Sequence, residues 1–235
     1  MLRRARIARE RLTLCNNIAV AQYFQIHSTH PQVRLIKRAV DIVRDGGVIA
    51  YPTDSSYALG CHLGDKGAME RIRRIRHLDK DHNFTLVCRD LSELAQYARV
   101  SNSDFRVLKA HTPGPYTFIL SATREVPRRL QHPRRKTIGL RVPDHVITRA
   151  LLTELGEPLM SVTLLFPGDV APPSEATEIR ERLEHEVDVV IDGGLCGPDP
   201  TTVVVLEDGV ARVTREGKGA QAFLGKTSLP PPGSA

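Results

Sequence analysis

The sequence predicts a single α/β domain, and three observations lead there. Short apolar runs rich in Val, Ile and Leu alternate irregularly with stretches whose apolar residues recur at helical spacing. The late strand-like runs at 187–191, 202–206 and 210–215 follow one another closely, which implies some antiparallel pairing. No internal repeat and no domain-sized linker divides the 235 residues.

Taken in order, residues 1–22 hold five Arg and no apolar signal core, so they read as a poorly ordered basic arm or as the product of an upstream start codon. The body is expected over 23–224. It opens with a short strand near Tyr23–Ile26. Pro31 then suits the first turn of a helix carrying Val33, Ile36, Ala39, Val40 and Val43, which Gly46-Gly47 stops. Val48–Tyr51 reads as a buried strand, ended by Pro52 because proline has no N–H to donate to the ladder. A polar turn follows, Thr53-Asp54-Ser55-Ser56-Tyr57. A helix is expected over 66–76, with Ala68, Met69, Ile72 and Ile75 inward and Arg71, Arg73, Arg74 and Arg76 on the other side. Residues 84–88 read as a strand. Helices over 91–97 and 103–110 have caps at Asp90 and at Ser101 or Asn102.

Thr112-Pro113-Gly114-Pro115 marks a turn, and strands follow at 116–120 and 137–142. A helix over 146–155 is closed by Gly156; residues 159–165 form a strand, and a charged helix spans 175–185. The Pro-rich stretch 225–235 reads as a disordered tail.

Composition narrows the function classes. Trp is absent and aromatics make up 5%, which leaves little for base-stacking platforms. No apolar run approaches the roughly 18 residues of a membrane span. The Cys at 15, 61, 88 and 196 lack a C-x-x-C spacing, so a zinc knuckle is not expected; Cys61 and Cys88 suit a core, and reduced thiols point to the cytoplasm. Of the net charge of +6, residues 1–11 carry +4 and Lys226 another, so the body is nearly neutral. No Walker loop, G-x-G-x-x-G or H-E-x-x-H is present.

Polar residues gather where strands end. These are Thr53–Tyr57, Arg141, Ser161 and Thr163 at one parity of their strand, and Thr201-Thr202. Residues 124–141 hold seven basic residues against one acidic: Arg124, Arg128, Arg129, Arg134, Arg135, Lys136 and Arg141, with Glu125. A hydroxyl-rich pocket beside arginines suits a phosphate-bearing ligand; a solvated basic face is the alternative.

In their order, Tyr51–Cys61, Arg74-Ile75-Arg76, His82–Leu86, Thr112–Gly114, Lys136–Pro143, the Ser161 strand, Pro200–Val203 and Arg215–Gly217 resemble the threonylcarbamoyl-AMP synthase or YrdC family, and its YciO branch in particular. The resemblance spans about 23–224. It implies a twisted mixed sheet with helices around it and a basic concave face. It also implies synthesis of threonylcarbamoyl-AMP from threonine, bicarbonate and ATP-Mg, with no bound organic cofactor and no metal site of the protein's own. Implied partners are tRNA or double-stranded RNA and a threonylcarbamoyl-transfer complex. By motif, Arg74 and Arg76 would be catalytic and hold phosphates. Thr53, Tyr57, Arg141, Ser161 and Thr163 would bind substrate. Ser161, Thr201, Thr202 and Arg215 would bind nucleotide, and Arg128, Arg129, Arg134, Arg135 and Lys136 RNA. The chain departs from the family pattern with Arg74 for Lys, Thr163 for Asn, Asp54 for Glu and Ala58 for Gly. A non-catalytic RNA-binding or ribosome-associated module of the same fold is the competing expectation.

Overall fold

The computed structural model describes residues 20–79 and 82–227, the last two without their side chains. Most of the expected basic arm, and the tail from 228, lie outside these residues. The elements run β1 (Gln22–Gln25), α1 (Val33–Arg44), β2 (Ile49–Tyr51), β3 (Ala58–His62), α2 (Lys66–Arg76), β4 (Thr85–Val87), α3 (Leu91–Tyr97), α4 (Asn102–His111), β5 (Tyr116–Ser121), β6 (Thr137–Arg141), α5 (Val146–Leu155), β7 (Leu159–Thr163), α6 (Ala176–Leu183), β8 (Val189–Asp192), β9 (Thr202–Glu207), β10 (Val210–Arg215) and α7 (Ala220–Thr227). The strands form one mixed sheet in the order β1-β8-β2-β3-β7-β4-β6-β5-β9-β10.

Local chemistry fixes the element ends. Asp65 caps α2 by accepting from the Ala68 N–H, and Ser101 and Asp104 form a reciprocal capping box on α4. Gly156 ends α5 at φ +78°, where a Cβ would be strained.

Two expectations are corrected and one element is added. Pro31 precedes α1 rather than opening it, because Gln32 occupies the cap position. Ala58–His62, given no element from the sequence, is a strand between β2 and β7 and is buried along most of its length. The backbone from 225 to 227 is helical rather than disordered; Phe223 anchors α7 against His111, Tyr116 and Phe118.

Alternation in the strands builds two cores. Leu59, Leu86, Leu140, Met160 and Phe118 pack with Ile72 of α2, Leu94 of α3, Leu108 of α4 and Ile179 of α6. Ile49, Tyr51, Ala58, Val87 and Leu159 face the other way and meet Val40 of α1 and Leu151 of α5. Among the described residues, helices cover this second face at its β1-β8-β2-β3 end and over Leu159 and Val87. Over β7, β4, β6, β5 and β9 the same face presents Ser161, Thr85, Gly139 and Thr117 to a cavity.

Candidate functional site

The cavity encloses about 150 Å³ and takes its floor from this part of the sheet. Register puts Ser161 opposite Gly60 and Thr85, and Thr85 opposite Gly139. A Cβ at Gly139 would stand 3.1 Å from the Thr85 hydroxyl and 3.4 Å from the Thr117 methyl, so the glycine keeps the floor low. Ser161 Oγ lies 2.7 Å from the hydroxyl of Tyr51, and it donates to the Leu59 carbonyl at 3.1 Å. Burial pushes the Tyr51 phenol up to about 12, so it stays a neutral hydrogen-bonding group.

Arg141 forms one wall and is only 7% exposed. One terminal nitrogen donates to the Asp54 carboxylate, to Ser55 Oγ at 3.0 Å and to Thr53 Oγ1 at 3.2 Å. Its Nε and the second Asp54 oxygen are buried without a hydrogen-bond partner. A donor buried beside a cavity with no acceptor carries a desolvation cost that a bound acceptor would relieve.

The opposite wall holds Arg215, Thr201 and Thr117. Arg215 donates to the Thr201 carbonyl at 3.0 Å, and the hydroxyls of Thr201 and Thr117 are 2.8 Å apart. Arg215 pairs with Val203, and Val203 with Thr117. Arg141 and Arg215 therefore stand three strand spacings apart, about 14 Å between their Cα atoms. His82 and Asn83 complete the rim. Burial first, then the charges of Arg76, Arg73 and Arg215, hold the His82 imidazole below its ordinary range and so keep it neutral. Arg76 is tied to the carbonyls of Thr163, at 2.8 Å, and Leu165; burial lowers its affinity for its proton, as it does for Arg215.

Of the residues singled out from the sequence, Arg141, Ser161, Thr163, Thr201 and Arg215 line this cavity, with Arg76 beside it at Thr163. Four do not. Thr53 is buried beneath the wall, where its hydroxyl donates to the Ser56 carbonyl at 2.6 Å and shapes the turn. Tyr57 points to the far side and donates to the Gly194 carbonyl at 2.7 Å. Thr202 has the opposite parity to Thr201; it donates to the Lys218 carbonyl and accepts from the Gly217 N–H. Arg74 is exposed and outside the cavity, because Ile72 and Ile75 turn inward and place it off the face shared by Arg73 and Arg76. Arg73 lies against the Phe84 ring, 5.3 Å from its centre.

His82, Asn83, Thr85 and Thr117 were not singled out as site residues. Alternation along 116–120 was the available signal for Thr117. The run His82–Leu86 carried the other three.

A family profile described as "Telomere recombination", that of Sua5, YciO and YrdC, matches residues 41–217. The chain belongs to the Sua5/YciO/YrdC family. The crystal structure of Escherichia coli YciO is similar at 57% identity with a TM-score of 0.83, covering 86% of this chain and 98% of that one. A threonylcarbamoyl-AMP synthase of Nitrosococcus oceani is 33% identical over 160 residues, 67% of this chain and 85% of its own. P. abyssi Sua5, solved with L-threonine, shares the fold at a TM-score of 0.77 and 23% identity, over 86% of this chain and 61% of that one. Among the described residues, no helix of this family member is long and apolar enough to cross a membrane.

Proposed function

We propose that this chain makes threonylcarbamoyl-AMP from threonine, bicarbonate and ATP for tRNA threonylcarbamoyladenosine modification. The carrying observation is the buried Arg141 with its unfilled Nε, set across a hydroxyl-lined cavity from Arg215 and His82. A relative named for that activity and a fold-mate solved with L-threonine support it.

The reaction makes few demands for strong acid–base catalysis. The threonine amine and bicarbonate give a carbamate and water, and the carbamate oxygen attacks the α-phosphate of ATP while pyrophosphate leaves. Arg141 takes the amino-acid carboxylate at its free donor. Arg76 and Arg215 supply charge where the phosphates lie, and magnesium arrives with the nucleotide. The Thr85, Thr117, Thr163 and Thr201 hydroxyls, with Ser161, fix orientation rather than charge.

Pyrophosphate release that requires ATP, threonine and bicarbonate together is the expected result. Arg76→Ala should lower it about 100-fold or more, since a phosphate contact is lost. Release absent from wild-type protein, or independent of threonine, would refute the proposal.

A second activity, duplex RNA binding, is favoured by the exposed Arg134 and Arg135 at the β5–β6 tip. Its test is binding that weakens steeply with salt and is lost on reversing those two charges.

A further inference from the structure

A second cavity of about 250 Å³ adjoins the first and shares His82 and Asn83 with it. The first cavity alone, at about 150 Å³, is below the roughly 300–1,000 Å³ of small-molecule sites; the two together, at about 400 Å³, fall within it. The two compartments together offer the volume of a typical small-molecule site.

The second compartment has a defined chemistry. Arg128, Arg129, Lys136 and Gln131 line it, and among the described residues no carboxylate does. Two of its cations are held by carbonyls, which leave their charge unneutralised. Arg129 donates to the Gly64 carbonyl at 2.6 Å, and Lys136 Nζ to that of Pro133 at 2.7 Å. The loop that carries them is built rather than loose. Val126 and Leu130 are buried as its anchors, and Gln131 donates to the Val126 carbonyl at 2.8 Å. His132 Nδ1 accepts from the backbone N–H groups of Arg134 and Arg135, neither of which lines the cavity.

Resting on the synthase function, we infer that the β5–β6 compartment is a polyphosphate site. The β- and γ-phosphates of the nucleotide lie among Arg128, Arg129 and Lys136, and the reacting α-phosphate lies at the His82–Asn83 junction. Guanidinium groups fork onto phosphate oxygens, and an ammonium adds a point charge. The same residues would retain inorganic pyrophosphate after the α–β bond breaks. This assigns the cavity-lining half of the basic loop to the small molecule and leaves Arg134 and Arg135 outside.

The test is calorimetric titration of the full chain with inorganic pyrophosphate, ATP and AMP. Arg128→Gln/Arg129→Gln/Lys136→Gln should weaken pyrophosphate and ATP about 100-fold while leaving AMP within about threefold. Arg128→Gln/Lys136→Gln keeps the Arg129–Gly64 tie, and it should still lose about tenfold for pyrophosphate with an unchanged melting temperature. Unchanged pyrophosphate affinity in the triple variant overturns the inference. Equal losses for AMP and pyrophosphate overturn it too, as does loss of duplex RNA binding with pyrophosphate binding intact. Wild-type protein that binds neither ATP nor pyrophosphate would sink the synthase function itself. Threonine-dependent turnover undiminished in the triple variant would sink only the polyphosphate site.

Discussion

Arg141→Met is the sharpest perturbation of this site, because it separates stability from ligand recognition. The substitution keeps most of the side chain's packing and removes the guanidinium. Arg141 is 7% exposed, and the Asp54 side chain it bonds is 10% exposed. Without the guanidinium, Asp54 is a buried carboxylate; one oxygen has lost its donor and the other already lacks one. Breaking a buried pair from one side costs about 3–5 kcal/mol. Lys218 Nζ, 2.5 Å from the Asp54 carbonyl, offsets part of this and places the value at about 3 kcal/mol. For a domain of this size that is a fall in melting temperature of about 6–12 °C. Asp54→Asn/Arg141→Met removes both charges and should recover to within about 1–2 kcal/mol of wild type. Threonine binding should stay lost in both variants, since the Nε donor is gone. The chain has no Trp, so urea unfolding is followed by far-UV circular dichroism, and threonine binding by calorimetry. A single variant within 1 kcal/mol of wild type, or a double variant no more stable than the single, would refute the buried-pair argument.

Two further outcomes follow from the same contacts. Burial holds the Cys61 thiol up at about 12 from 9.0 and the Tyr51 phenol at about 12 from 10.0. Their neutral forms are favoured in the folded state. The stability they contribute is intact below about pH 9 and is lost as pH rises toward 12. Urea midpoints measured from pH 8 to 11.5 should fall steadily above pH 9, and Cys61→Ala should make the fall shallower without moving its onset, because burial also raises the Cys88 and Cys196 thiols; a flat profile would contradict it. Gly217→Ala places a Cβ 2.3 Å from the Pro200 carbonyl, which forces apart the strip that seats Arg215 on Thr201. It should cost about 1–3 kcal/mol and weaken ATP binding, and wild-type values for both would show that this strip is yielding.

What the sequence disclosed depended on whether a local signal existed. Helix ends with side-chain caps, such as Asp65, Asp90 and Ser101, are written in the residues that make them. The strand Ala58–His62 has no β-branched residue and contains a glycine, so nothing local marks it; pairing with β2 and β7 on both sides makes it a strand. Helix α7 is short, and its anchor is the contact of Phe223 with distant aromatics. The candidate site divides along the same line. Parity within one strand puts Ser161 and Thr163 on the same sheet face, and it distinguishes Thr201 from Thr202 once the strand is known. Helical phase likewise decides between Arg73 and Arg74 beside Arg76, because Ile72 and Ile75 define the buried side. Thr53 and Tyr57 are different: the turn between two strands has no periodicity. Only the folded backbone shows that Thr53 is a strut for Ser56 and that Tyr57 faces Gly194. The turn that looked most like a binding loop acts through Asp54, Ser55 and Thr53 on Arg141. Its contribution to the site is to hold a guanidinium in place while leaving one donor unfilled.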